Sequence, residues 1–164
     1  MTLLEVIRTI EDAAARQPSV SMIVENDVFR LNSYADARYG VFAWVQGRHR
    51  VDSMTPDFIR YSFTFFYVDR LRNDIANQVE VQSVGIETIQ NVLRVLRDAG
   101  LDPETYEFQA FNQRFADECA GVYTTVGLTV PVESALYDVP GAFHRADADP
   151  YHKIYDAIAE RHAS

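Results

Sequence analysis

The sequence predicts an α+β fold. An antiparallel sheet, built from a meander and one late strand, carries two amphipathic helices on one face, and a C-terminal arm ends in a short helix. Three observations predict it. Two segments, over 2–18 and 78–99, carry apolar residues at helical spacing. Closely linked segments between them show the two-residue alternation of half-buried strands, as does a later one over 122–130. Short links between consecutive strands favour antiparallel pairing, and each amphipathic helix needs an apolar surface to cover.

In chain order, "TLLEVIRTIEDAAARQP" sets Leu3, Val6, Ile7, Ile10 and Ala14 on one stripe. Thr2 is placed to cap this helix, and Glu5 three residues on completes a capping box. Pro18 ends it, because proline disfavours helical geometry in the residue before it. "DVFRLNSY" reads as a short strand, with Phe29, Leu31 and Ser33 opposite Val28, Arg30 and Asn32. "RYGVFAWVQG" is a second strand, apolar enough to be covered on both faces, and Gly47 begins the turn after it. In the third, "FIRYSFTFFYVDRL", Ile59, Tyr61, Phe63, Phe65 and Tyr67 alternate with Arg60, Ser62, Thr64, Phe66 and Val68.

The period then lengthens. Val79, Ile86, Ile89, Leu93 and Leu96 share one stripe of a helix over 78–99, which Gly85 weakens and Gly100 caps, with Ser83 as an alternative start. "TYEFQAF" is extended, and Val122, Thr124, Val126, Leu128 and Val130 alternate along a last strand that Pro131 ends. One domain therefore spans 1–134. The arm spans 135–164: "YDVPGAFHRADADP" has loop composition, and "PYHKIYDAIAERH" puts Tyr151, Ile154, Tyr155 and Ile158 at helical spacing behind a proline suited to a first turn.

Composition narrows the function classes. At 48% hydrophobic and 24% charged residues the chain can build a core, and 10 Phe with 9 Tyr against one Trp favour strands. A formal charge of −9 argues against gripping a phosphate backbone, which needs clustered Lys and Arg. A single cysteine makes no internal disulfide and no signal-peptide pattern opens the sequence, so an intracellular protein is expected. No segment approaches the roughly 20 consecutive apolar residues that span a bilayer, and no membrane partner is expected.

Cys119, in "FNQRFADECAGVYTTVGLTVPVES", is the first candidate nucleophile. Asp117 and Glu118 beside it oppose thiolate formation, so a small buried residue is the expected role. The alternative is a small enzyme or ligand-binding domain that uses Cys119 with a histidine such as His49 or His144, or a metal at His144 and His152. His144, Asp147, Asp149, His152 and His162 are ligand types, yet their spacing matches no zinc, EF-hand or facial-triad pattern. Asp69, Asp74, Asp117 and Glu118 read as solvated turn residues, and no phosphate loop, GxSxG, HExxH or CxxC occurs. No catalytic residue, cofactor or metal is expected.

The aromatics pose a different problem. Phe42 and Trp44 on the second strand, with Phe58 and Phe66 on the third, fall opposite the better core positions. With the helices on one side, these rings need a second cover, and an apolar patch of that size marks a protein interface. The expected contacts are Phe42, Trp44, Phe58 and Phe66, Arg48 in the hairpin tip "QGRHRVDSM", Arg60, and Tyr137, Phe143, Tyr151 and Tyr155 of the arm. A third class, an adaptor binding peptides along an exposed strand, uses the same sheet differently.

The chain resembles the tail-terminator and neck-protein families of tailed bacteriophages. The resemblance covers residues 1–132: a helix ending in "RQPSV", the strand "NDVFRLNS", the hairpin strands "YGVFAWVQG" and "RYSFTFFYVDRL", the helix "GIETIQNVLRVLRDAG" and the late strand "FADECAGVYTTVGLTVPV". "FYVDRL", "EVQSVGI" and "FNQRFADECAGV" are similar to segments of small Bacteroidetes phage proteins, including connector-ring proteins of crAss-like phages. The resemblance implies a virion structural protein, assembled in the host cytoplasm into a homo-oligomeric ring of six or twelve copies at the head-to-tail junction. Its neighbours would be portal, connector or tail proteins, and DNA would pass through the lumen without specific binding, which an acidic chain suits. The arm after Ser134 departs from a minimal terminator.

Overall fold

A computed structural model describes residues 1–28, 39–71, 77–114 and 118–132. Helix α1 (Leu3–Ala15) is followed by strands β1 (Met22–Glu25), β2 (Val41–Gln46) and β3 (Phe58–Arg70), helix α2 (Gln78–Asp98), and strands β4 (Asp102–Pro103), β5 (Gln109–Arg114) and β6 (Glu118–Pro131). The fold is α+β, with one open six-stranded sheet. The described elements belong to one compact unit, Met1–Val132. Most of the strand expected over 27–34, and the whole arm with its helix, lie outside the described residues. No helix among the described residues is long and apolar enough to cross a membrane.

The capping box at the start of α1 forms as expected. Thr2 Oγ1 accepts the Glu5 N–H at 3.3 Å, and the Thr2 N–H donates to Glu5 Oε2 at 2.6 Å. The helix buries Val6, Ile10, Ala13 and Ala14. In α2 the buried stripe runs through Val81, Gly85, Thr88, Ile89, Val92, Leu93 and Leu96. Val79, expected in that stripe, is exposed in the first turn of the helix, and the buried stripe begins at Val81. Ser83 lies inside the helix, which starts after Asn77. Thr88 is tolerated in the stripe because its hydroxyl bonds the Val84 carbonyl at 2.7 Å and the Ser19 hydroxyl at 2.6 Å. Gly100, at φ 92°, ends the helix, and the Leu101 N–H reaches back to the Leu96 carbonyl.

The strand order is β1-β2-β3-β6-β4, with β5 alongside β6 on the same side as β4. β2 and β3 form the expected antiparallel hairpin, and β6 pairs antiparallel with all of β3, from Phe58 opposite Pro131 to Arg70 opposite Cys119. The meander is corrected at its start: β1 is parallel to β2. The stretch from Asn26 to Gly40 supplies the dozen or so residues that a parallel link requires.

The register fixes the faces. Phe42 pairs with Tyr67 and Trp44 with Phe65, and directly paired residues point to the same side. Tyr61, Phe63, Phe65 and Tyr67 share that side with Val122, Val126, Leu128 and Val130 of β6, and both helices pack there into one core. The Phe42 and Phe65 rings lie 5.5 Å apart, and Trp44 meets Phe63 edge-on at 6.1 Å. Phe42 and Trp44 are therefore interior residues beneath the helices, and their expected place on the opposite face is corrected. β2 is nonetheless buried on both faces along Val41–Trp44, as its continuous apolar run predicts.

Candidate assembly interface

The face turned away from the helices carries the alternate residues of each strand. Its middle begins with small side chains: Val24, Val41, Ala43, Val68 and Cys119 form a second buried cluster, flanked by partly buried Met22, Tyr39, Phe66 and Phe111. Beside it stand three rings on three adjacent strands. Phe66 of β3 lies 5.5 Å from Tyr123 of β6 and 6.3 Å from Phe111 of β5, and Phe111 lies 6.0 Å from Tyr123. Gly121 makes room for this cluster, since a Cβ there would come within 2.8 Å of the Phe111 ring. All three rings stay half-buried.

Toward the start of β3 the same face becomes polar. Thr64 and Thr125 share a hydroxyl–hydroxyl bond of 3.0 Å across the β3–β6 pair. Beyond it Arg60 Nε donates to both carboxylate oxygens of Glu104, at 2.8 and 2.9 Å. The guanidinium holds the Glu104 carboxyl below the usual carboxylate range. Arg60 lies flat across Gly127, where a Cβ would meet its guanidinium at 2.5 Å. Together with Phe58 and Thr129 this pair lines a groove of about 380 Å³, and Phe58 is 47% exposed.

Of the expected contact residues, the structure thus brings Phe58, Arg60 and Phe66 onto one face and removes Phe42 and Trp44 from it. Arg48 is exposed in the β2–β3 connection. Tyr137, Phe143, Tyr151 and Tyr155 lie outside the described residues, as do His144 and His152. Phe111 and Tyr123 were missed as contacts. The alternation of β6 does put Tyr123 opposite Val122, and an extended "TYEFQAF" puts Phe111 on a strand.

Cys119 is fully buried in the small-residue cluster. His49 cannot activate it. Its Nδ1 accepts the Ser62 N–H at 3.2 Å, whereas Cys119 pairs with Arg70 eight residues further along β3, a separation of roughly 26 Å at strand rise. Among the described residues no three His, Cys, Asp or Glu gather into a metal-holding group.

At the β1 edge the indole of Trp44 donates to Glu11 Oε1 at 3.0 Å. Burial pushes the Glu11 carboxyl up, against the Trp44 bond that pulls it down, and neighbouring Glu25 and Asp12 raise it further. No protein-family model matches the chain, and no curated protein matches it in sequence.

Proposed function

We propose that this protein is a non-enzymatic structural subunit that forms a ring at the head-to-tail junction of a tailed bacteriophage, in the manner of a neck or tail-terminator protein. One observation carries the proposal: α1 and α2 cover one face of the sheet, and the other, apolar in part, leaves Phe58 and the Phe66–Phe111–Tyr123 cluster in partial contact with water. Rings of this size supply large contact area on association, and the Arg60–Glu104 pair gives the patch a polar margin. The occupant is a neighbouring subunit, with portal, connector or tail proteins above and below. Virion location, six or twelve copies, passage of DNA through the lumen and docking of the arm over 135–164 on a neighbour belong to the same proposal.

Sedimentation velocity and native mass spectrometry over rising concentration test it. Ring-sized species are expected. Phe58→Ser combined with Phe66→Ser is expected to shift the distribution toward monomer while the circular dichroism spectrum stays native. A chain that remains monomeric throughout, alone and mixed with candidate portal or tail partners, rejects the proposal.

A further inference from the structure

Side chains of opposite sign stand at the two edges of the sheet: carboxylates by β1, and two arginines, with Asp98 and Asp102 near them, by β4. At the β1 edge, the carboxyls of Glu11 of α1 and Glu25 of β1 lie within hydrogen-bonding reach of one another, and Asp12, next to Glu11 in α1, adds a further negative charge. At the β4 edge, a cavity of about 340 Å³ opens between the C-terminal half of α2 and the β4 strand. Gln90, Leu93, Arg94 and Arg97 line it from successive turns of α2, and Asp102, Pro103 and Tyr106 line it from β4 and the segment after it. Arg94 makes no ion pair with any described residue, and Arg97 has only its sequence neighbour Asp98, at 3.9 Å with both side chains mostly exposed.

We infer that the Arg94–Arg97 cavity receives the acidic β1 edge of a second copy of this chain, so that each subunit joins the next head to tail. The inference rests on the ring proposed above and names the contact that closes it. Copies that each carry −9 repel one another at long range, so their association must be organised by local pairs of opposite sign. The strand order puts those pairs at opposite ends of one sheet, with β1 first and β4 last. A contact between two different patches is heterologous, and it closes a ring when its repeated rotation returns to the start without a rise, as the proposed ring requires. Planar guanidinium groups on two turns of one helix can each take a carboxylate bidentately, and crowding among Glu11, Asp12 and Glu25 is relieved when a cation arrives.

Charge reversal tests the contact on the full chain. Arg94→Glu with Arg97→Glu makes both edges acidic; Asp12→Arg with Glu25→Arg makes both edges basic. All four positions are exposed, so both variants are expected to keep the native circular dichroism spectrum. Each alone is expected to assemble at least about tenfold more weakly than the parent by sedimentation velocity. An equimolar mixture is expected to regain assembly, with the two variants alternating one to one by native mass spectrometry. If the parent assembles and either variant assembles equally well, or the mixture stays apart, the edge contact is wrong while the ring survives. If the parent never assembles, both fall.

Discussion

Gly85 lies on the buried stripe of α2. In the middle of a helix glycine is a weak point by propensity, but here α2 sits close against the sheet: an added Cβ would lie 2.7 Å from Val122 Cγ2 and 2.9 Å from Tyr67 Cδ1. Gly85→Ala should therefore destabilise the protein by roughly 1–3 kcal/mol through overpacking, despite a helix-propensity gain of about 1 kcal/mol. Urea unfolding followed by circular dichroism measures the sign, and a more stable variant would mean that α2 rides clear of the sheet. Glu11 sets a pH dependence. Its carboxyl is raised in the folded state, so its contribution is complete below the unfolded value of 4.5 and is lost as pH rises through the folded value. Glu5 and Glu104, both lowered, act in the opposite sense and lose their contribution as pH falls. Glu11→Gln keeps an acceptor for the Trp44 indole, so it should be more stable than the parent at pH 7 and lose that advantage near pH 4, with Trp44 fluorescence reporting the unfolding. The faces of Phe42 and Trp44 were not legible, because four successive apolar residues in β2 carry no parity. Only the pairing with Tyr67 and Phe65 assigns them.

Elements were legible where their signals were local. The α1 capping box depends on two residues three apart, and both hydrogen bonds form. Thr2→Ala should accordingly cost about 1 kcal/mol of stability, read as a lower urea midpoint at unchanged slope. The alternation of β3 and β6 was visible because each runs long enough to repeat its pattern many times, at 13 and 14 residues. β1 was missed for the converse reason: its four residues, Met22–Glu25, show no full alternation. The chain turns away immediately after them, at Asn26 with φ 57°. Its parallel pairing is a property of the connection through Gly40, which no local pattern records. The Phe66–Phe111–Tyr123 cluster was half legible on the same grounds, because parity along β3 and β6 marks Phe66 and Tyr123, whereas Phe111 enters only through the pairing of β5 with β6.

For the whole molecule, the proposed ring divides the work: folding draws on the unit over Met1–Val132, and assembly draws in addition on the arm over 135–164. The unit over Met1–Val132 contains both helices, all six strands and the core that joins them. Its last residue is anchored, since the Val132 N–H donates to the Asp57 carbonyl at 2.7 Å and holds the end of β6 beside the start of β3. A chain ending at residue 136 keeps every one of these contacts. It should give the same far-ultraviolet spectrum and one cooperative transition, because the hydrogen bonds and apolar burial that define the sheet and helices are retained. In the proposed ring the arm supplies contacts to a neighbour, so the shortened chain should assemble less readily than the full one at equal concentration. Sedimentation velocity on the two chains side by side measures this. A shortened chain that unfolds would move the arm from assembly into the fold itself, and one that assembles equally well would leave ring formation to the sheet edges and the aromatic face alone.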